Sequence, residues 1–321
     1  KDREEEDIFI MGKGRVLIYT TDVTTDSSPD DLDVLDEARY VSDGLAKLEY
    51  QITQLPFKFD IRNYEESLRH IGEEVDGINP SFIFNLVEAI NGTDRLAYRA
   101  IQIFTDLRIP YTGCTLNAFL KTQTKTEAKK IFIANGIPTP SFVTMENLER
   151  FLLKPDNENA SKGIDGKVYS GKDFFAEQYI EGREFNISCM GSLKDCTVLP
   201  IPEMKFENWP EGKPTIVGYD AKWDTNSEAY KNTNRSFEIS DSDGELFNNL
   251  SNITKKCWDF FDLRGYARVD FRVDKNKNPY VLEINANPGI AEDSGFIAAT
   301  RKAGMKWEEV LEKIIKDSCG I

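Results

Sequence analysis

The stretch that most narrows what this chain can fold into lies near its end. It runs Gly265-Tyr-Ala-Arg-Val-Asp-Phe-Arg-Val-Asp274, a short break, then Pro279-Tyr-Val-Leu-Glu-Ile-Asn-Ala-Asn-Pro-Gly-Ile290. Arg268, Asp270 and Arg272 alternate with Val269, Phe271 and Val273, the period-2 pattern of a half-buried strand. Asp274 to Asn278 is a polar turn, and Tyr280 to Ile284 is the returning strand. Glu283 and Asn285 fall on one face of it, and a hairpin brings Asp270 opposite them. Two carboxylates and an amide oxygen at a strand end suit a hard cation such as magnesium, which takes oxygen ligands. The same residues also suit a plain solvated hairpin, and the hairpin alone does not decide between the two.

The rest of the chain bears on that choice. Its 321 residues suffice for two or three packed lobes. A formal net charge of −15 argues against nucleic acid or an anionic membrane surface as partner, since neither is attracted to such a field. An anionic substrate must then be met by locally placed Lys and Arg. The five cysteines are odd in number, scattered and without a CxxC pair, as in a reduced cytoplasmic protein. His70 is the single histidine, which excludes a His-rich metal site. No run of about 18 apolar residues occurs. Residues 1–11 read as a mobile, highly charged tail.

In chain order, Arg15 to Tyr19 is a strand, and Asp31 to Leu48 has helical spacing in Leu32, Leu35, Ala38, Val41 and Leu45. Tyr50 to Leu55 and Phe57 to Ile61 are strand-like. Ser81 to Val87 is a near-continuous apolar run, as for a parallel strand buried on both faces. Arg95 to Leu107 is an amphipathic helix. Strand, helix, strand, strand and helix predict an open α/β domain over residues 12–112. Thr122 to Asn135 reads as a helix stopped by Gly136. Strands follow at Phe151 to Pro155, Phe174 to Ile180, Glu184 to Met190 and Thr197 to Ile201. A helix over Glu245 to Phe261 leads into the hairpin, and Glu308 to Lys316 is the last helix.

Taken together, Phe84-Asn-Leu-Val-Glu88, Ile109-Pro-Tyr-Thr-Gly113, Leu153-Lys-Pro155, Glu177-Gln-Tyr-Ile-Glu-Gly-Arg-Glu184, Tyr219-Asp-Ala-Lys222, Gly265 to Asp270, Leu282 to Gly289 and Ala303-Gly-Met305 resemble, in this order, the ATP-grasp superfamily, in particular its D-alanine–D-alanine ligase group. The resemblance implies an α/β fold, α+β in the ATP lobes, with three domains. An N-terminal pre-ATP-grasp domain would precede a small lobe over residues 113–181 and a C-terminal lobe over 182–321. It implies ATP and Mg2+, or Mn2+, as cofactors, with Lys125, Lys154 and Lys222 on phosphate oxygens. Ser161, Gly163 and Ile164 would lie in a loop closing over the triphosphate. Glu177, Gln178, Tyr179 and Ile180 would form the adenine edge, Leu282 an apolar wall, and Glu184 the ribose contact. Asp270, Glu283 and Asn285 resemble the metal ligands. Arg268 and the Gly289 backbone N–H resemble the groups that stabilise a tetrahedral intermediate, and Ser294 the one that binds the second substrate's carboxylate. The implied reaction joins a carboxylate and an amine through an acyl phosphate, on amino-acid or small-peptide substrates, in a homodimer with no nucleic-acid or membrane partner.

The chain departs from the family pattern where substrates are oriented. Ala160 stands where the loop serine is expected, Trp223 where the dipeptide ligases carry Tyr, and Glu88 where a His-Gly pair is usual. No equivalent of the first-lobe glutamate is evident in Thr20 to Asp26. Only twelve residues separate Ile164 from Glu177, so the small lobe is either pared down or incomplete in this sequence. Cofactor positions kept and substrate positions lost predict a ligase of this group with a different substrate. An authentic D-alanine–D-alanine ligase, a non-catalytic ATP-binding protein and a kinase that stops at phosphoryl transfer are the alternatives.

Overall fold

The computed structural model describes residues 12–143, 151–155, 174–210, 214–224, 226–238 and 240–321, with backbone alone for a few of them, among them 151–155 and 223. The chain opens with strand Gly14–Thr20 (β1), helix Pro29–Lys47 (α1), strand Tyr50–Pro56 (β2), helix Tyr64–Ile78 (α2), strand Phe82–Leu86 (β3) and helix Tyr98–Asp106 (α3). The strands form a parallel sheet in the order β2-β1-β3, with Val16 opposite both Ile52 and Phe82. β3 is buried along its whole length, as its apolar run predicts. Under one face, Leu17, Tyr19, Ile71, Val75, Ile101 and Phe104 form a core in which the Tyr19 and Phe104 rings stack at 5.7 Å.

Two expectations for this region are corrected. Phe57 to Ile61 is no strand. Phe57 and Phe59 do turn into the core, but the Asp60 carboxylate accepts the Arg62 N–H at 2.9 Å and starts a short 3-10 turn. That turn feeds α2, the helix absent from the predicted order. Its buried Ser67, Ile71 and Val75 recur every four residues among charged neighbours, a stripe too narrow to stand out. The order is therefore βαβαβα.

Helices Leu116–Gln123 (α4) and Lys125–Ala134 (α5) replace the single helix expected from Thr122. Thr124 between them is extended, with φ −98° and ψ 114°, and so Lys125 begins α5. A small antiparallel sheet follows, order β4-β6-β5, from Phe142–Val143 (β4), Phe151–Pro155 (β5) and Phe174–Gln178 (β6).

The large sheet is built from Gly182–Ser192 (β7), Asp195–Val198 (β8), Glu203–Phe206 (β9), then, after short helices Tyr219–Trp223 (α6) and Glu228–Lys231 (α7), Thr233–Ser236 (β10). Helix Gly244–Phe260 (α8) leads to the hairpin Gly265–Asp274 (β11) and Pro279–Asn285 (β12), followed by helices Gly295–Lys302 (α9) and Trp307–Cys319 (α10). Strand order is β10-β9-β7-β11-β12, with β8 on β7. On one face Phe185, Ile187, Val269, Phe271 and Ile284 pack with Phe132, Trp258 and Phe261. On the other, Met190 and Tyr266 join a core shared with Val34, Ala38 and Val41 of α1 and with Val310, Leu311 and Ile314 of α10. The first sheet and the large sheet are thus joined by a common apolar core.

Candidate active site

The hairpin register is the expected one. Arg268 pairs with Asn285 and Asp270 with Glu283 across β11 and β12. Below that pair the register shifts, Phe271 facing Val281, so half-buried Leu282 is the extra residue of a bulge. The bulge keeps Glu283 and Asn285 aimed to one side. The polar face of β11 is not a solvated one, however: Asp270 and Arg272 are 6% and 3% exposed. Arg268 grips Asp270 with two hydrogen bonds, 2.7 Å from Nε and 2.9 Å from the second nitrogen. Burial opposes the Arg268 charge, but Asp270, Glu283 and Glu184 outweigh it and lift the guanidinium's proton affinity. The Asn285 amide oxygen accepts the Asn287 N–H at 3.0 Å, which leaves it one lone pair.

Lys125 reaches Glu283 at 3.4 Å, so a lysine expected at phosphates already stands beside the hairpin. Lys222, on α6, is neighboured by Arg268, Glu283, Asp270 and Glu184; burial, then Arg268, lowers its affinity for a proton. Asp270, Glu283 and Asn285 present oxygens only, with cationic groups at their flank. That donor set fits a hard cation that shares its coordination sphere with phosphate oxygens.

Around the expected adenine edge the arrangement is more committed than the sequence implies. Glu177 is buried on β6 and ion-paired at 3.0 Å with Lys129, a fully buried lysine absent from the sequence reading. Lys129 also donates to Thr139 at 2.8 Å, and Thr139 to the Val281 carbonyl at 2.8 Å. Gln178 uses its backbone N–H and its side-chain oxygen on Ser141. The Ile180 carbonyl accepts from Arg272 Nε at 3.0 Å, and Tyr179 hydroxyl accepts the Thr215 N–H at 3.1 Å. Glu184 pairs with Arg272 at 3.2 Å; burial raises its affinity for a proton, Arg272 opposes that and Asp270 adds to it. The Lys154 side chain, and Ser161, Gly163, Ile164 and Ala160 entirely, lie outside the described residues, as does the Trp223 side chain.

A cavity of about 690 Å³ opens beside the hairpin. It brings together Arg268, Lys222, Asn285, Gly289 and Ser294, whereas Lys125, Asp270 and Glu283, and Glu177, Gln178, Tyr179, Ile180, Glu184 and Leu282, lie off its lining. Ser294 caps α9, its hydroxyl accepting the Ile297 N–H at 3.3 Å. Carboxylates from α1 and from the chain after β3 line the cavity too: Asp33, Glu37 and Glu88. Glu37 is the residue the sequence reading missed. It is 3% exposed and accepts the Ile290 N–H at 2.8 Å, beside Gly289, where a Cβ would lie 2.7 Å from its Oε1. Burial, then the charges of Glu88 and Asp33, push its carboxyl well above the usual range. Asp33 is pushed up to about 6 by burial, with Asp293 and Asp36 adding. One signal was available: Asp33 and Glu37 stand four apart, bordering the Val34, Ala38, Val41 stripe of α1. Arg235 on β10 and Lys231 face the cavity without any comparable signal.

With this geometry in view, comparisons with known proteins fall on one group. A family model described as D-ala D-ala ligase C-terminus matches residues 156–316. A D-alanine–D-alanine ligase from Bordetella avium is 26% identical over 251 residues, 71% of this chain and 74% of that protein. One from Carboxydothermus hydrogenoformans is 28% identical over 278 residues, 77% and 84% of the two chains. Among solved structures, the Bacillus anthracis D-alanine–D-alanine ligase complexed with ATP covers 95% of this chain and 97% of its own, with TM-score 0.66 and 20% identity, a likeness of fold.

Proposed function

The chain belongs to the D-alanine–D-alanine ligase family of ATP-grasp proteins, and from that premise we propose that it is an ATP-dependent, ADP-forming carboxylate–amine ligase whose substrates are not a pair of D-alanines. The observation that carries the reading is the convergence of Arg268, Asp270, Glu283 and Asn285 on one hairpin, beside a cavity lined by Arg268, Asn285, Lys222 and several carboxylates.

In this reaction a substrate carboxylate oxygen attacks the γ-phosphorus of ATP, the bond to the bridging oxygen breaks, and ADP leaves. The resulting acyl phosphate is attacked at carbon by a neutral amine; the tetrahedral intermediate expels phosphate and loses the amine proton. Lys125 and Lys222 neutralise phosphate oxygens, a task that asks chiefly for alignment and charge. Arg268, oriented by Asp270, meets the negative charge that develops on the carbonyl oxygen. Magnesium on Asp270, Glu283 and Asn285 would supply charge neutralisation at the β- and γ-phosphates. Glu37 holds the chain at Ile290 and so fixes the backbone around Gly289.

The proposal of a changed substrate is supported by Glu88, which lines the cavity where the group usually has a His-Gly pair, and by Ala160 and Trp223 at two further departures from the family pattern. The test is a panel of D- and L-amino acids, D-alanine included, with ATP and magnesium, read as ADP and phosphate released only when carboxylate and amine are both present. ADP release with one amino-acid pair other than two D-alanines is the expected result. D-alanine as the best substrate sinks the substrate half of the reading. Tight ATP binding with no amine-dependent turnover on a broad panel sinks the ligase half.

A further inference from the structure

Arg235 belongs to β10, the edge strand of the large sheet, where it pairs with Met204 of β9. The residue keeps solvent exposure, but its guanidinium sits within the cavity, where the surrounding protein desolvates it; Thr233 and Lys231 line the cavity beside it. Its guanidinium lies close to the start of α9: a Cβ built on Gly295 would stand 3.5 Å from its terminal nitrogen. Among the described residues it makes no hydrogen bond and no ion pair.

Its surroundings do nothing to explain it as a structural residue. Burial first, then the Arg268 charge, lowers its affinity for a proton, and Asp293 offsets part of that. The first turn of α9 presents backbone N–H groups, also positive in sign. Two guanidiniums and a helix start thus converge on one side of the cavity, and folding gains nothing from bringing them together. Asp33, Glu37 and Glu88 line the same cavity, Glu37 against Gly289 and Asp33 within the field of Asp293. A cavity lined by both signs suits ligands that carry both charges. The carboxylate that is activated must lie at Arg268, beside the metal ligands. An ammonium on that same substrate finds these carboxylates. A second anionic group, on the partner substrate, is what remains for Arg235, which stands by Gly295 and so beside Ser294, the residue expected at that carboxylate.

We infer that Arg235 is a specificity-determining residue that takes the carboxylate of the amine-bearing substrate, which makes that substrate an amino acid or peptide unit and not a simple amine or polyamine. This rests on the ligase reading above. A guanidinium offers a planar fork that matches a carboxylate in two hydrogen bonds, and Lys offers only a point charge. The phosphates of ATP are the other anions at hand, but Lys125 and Lys222 stand nearer the metal ligands to meet them.

The experiment compares an accepted amino acid with its own carboxamide, which keeps the amine and removes the charge, in the wild type and in Arg235→Ala and Arg235→Lys. Exposure on an edge strand leaves folding out of the comparison, and a melting curve checks that. Loss of a charge-assisted carboxylate contact should cut kcat/KM for the amino acid by about 10- to 100-fold, through KM. The carboxamide and the KM for ATP should stay unchanged, with Lys recovering part of the loss. An equal effect on both amines, a raised KM for ATP, or no effect at all overturns the inference. Should no amine be turned over, equilibrium binding of the same pairs to enzyme holding a non-hydrolysable ATP analogue reads the same comparison. Discrimination that Arg235→Ala abolishes then supports the role of Arg235 while the ligase reading fails, and wild-type protein that does not discriminate overturns it.

Discussion

A single carboxylate, that of Glu37, shows how a buried charge can be kept in place by the backbone it serves. It accepts the Ile290 N–H at 2.8 Å and stands against Gly289; burial, Glu88 and Asp33 push its carboxyl up, and the backbone hydrogen bonds of Ile290 and Ala291 pull it part of the way back. What the site needs from it is an acceptor, and the negative charge is a cost. Glu37→Gln should keep the hydrogen bond and hold kcat within about threefold, a change of well under 1 kcal/mol. Glu37→Leu leaves buried N–H groups without acceptor, should cost about 1–3 kcal/mol in urea unfolding, and should lower kcat by loosening the Gly289 backbone. The pH dependence has a definite sign. Below the ordinary carboxyl value of 4.5 both folded and unfolded forms are protonated. As pH rises past that value the unfolded chain ionises first, so stability falls until the raised folded pKa is passed. The Gln variant should lack this decline. Equal urea midpoints for Gln and Leu would remove the argument.

At the scale of elements, α5 carries the clearest case of placement by local structure. The extended Thr124 starts the helix at Lys125, and one turn later Lys129 lies under β6, so that two lysines four residues apart face Glu283 and Glu177. Both members of the Lys129–Glu177 pair are out of solvent, and removing one strands the other. Lys129→Met should therefore cost about 3–5 kcal/mol, while Lys129→Met with Glu177→Leu should recover most of it, because an apolar pair of similar volume carries no desolvation penalty. Denaturant midpoints of the three proteins decide the matter; a double variant no more stable than Lys129→Met refutes it. What was legible beforehand follows the same scale. The β11–β12 hairpin was readable, register included, because its alternation is strict and its turn polar. β3 was readable because burial on both faces leaves an unbroken apolar run. α2 was not, since three buried positions in fifteen residues give a weak period, and the Thr124 break was not, since both flanks are good helix formers. Glu37, Lys129 and Arg235 were hidden for a further reason: each takes its meaning from a residue distant in sequence.

For the whole molecule, the question is what makes the small sheet, the large sheet and the chain leading to Lys222 move as one. Arg272 is the strut. From near the end of β11 it donates to the Ile180 carbonyl at 3.0 Å, in the link between β6 and β7, and to the Gly182 carbonyl at 2.9 Å, at the start of β7. It also donates to the Thr215 carbonyl at 2.6 Å, in the segment that runs to α6, and to Glu184 at 3.2 Å. Its plane lies over the Tyr179 ring at 5.3 Å. A buried guanidinium so fully used costs little, but its loss leaves three carbonyls and a carboxylate short of donors at once. Arg272→Met should destabilise by about 3–5 kcal/mol, as for any broken buried ion pair. The more telling readout is where the structure loosens. The β1–β2–β3 sheet shares its core with α1 and α10, and among the described residues the Arg272 hydrogen bonds go to residues 179–184 and 215 and not to that sheet, so amide exchange there should hold. Exchange over 179–182 and 214–218 should rise, together with an increase of about tenfold or more in KM for ATP, the equivalent of one strong hydrogen-bonded contact. Acceleration spread evenly over all three sheets would mean that Arg272 supports the fold as a whole and does not tie residues 179–182 to Lys222. Confinement to the two segments, with the KM for amino-acid substrates little changed, would mean that the proposed adenine edge and the proposed phosphate lysine, Lys222, are set by one residue of the hairpin.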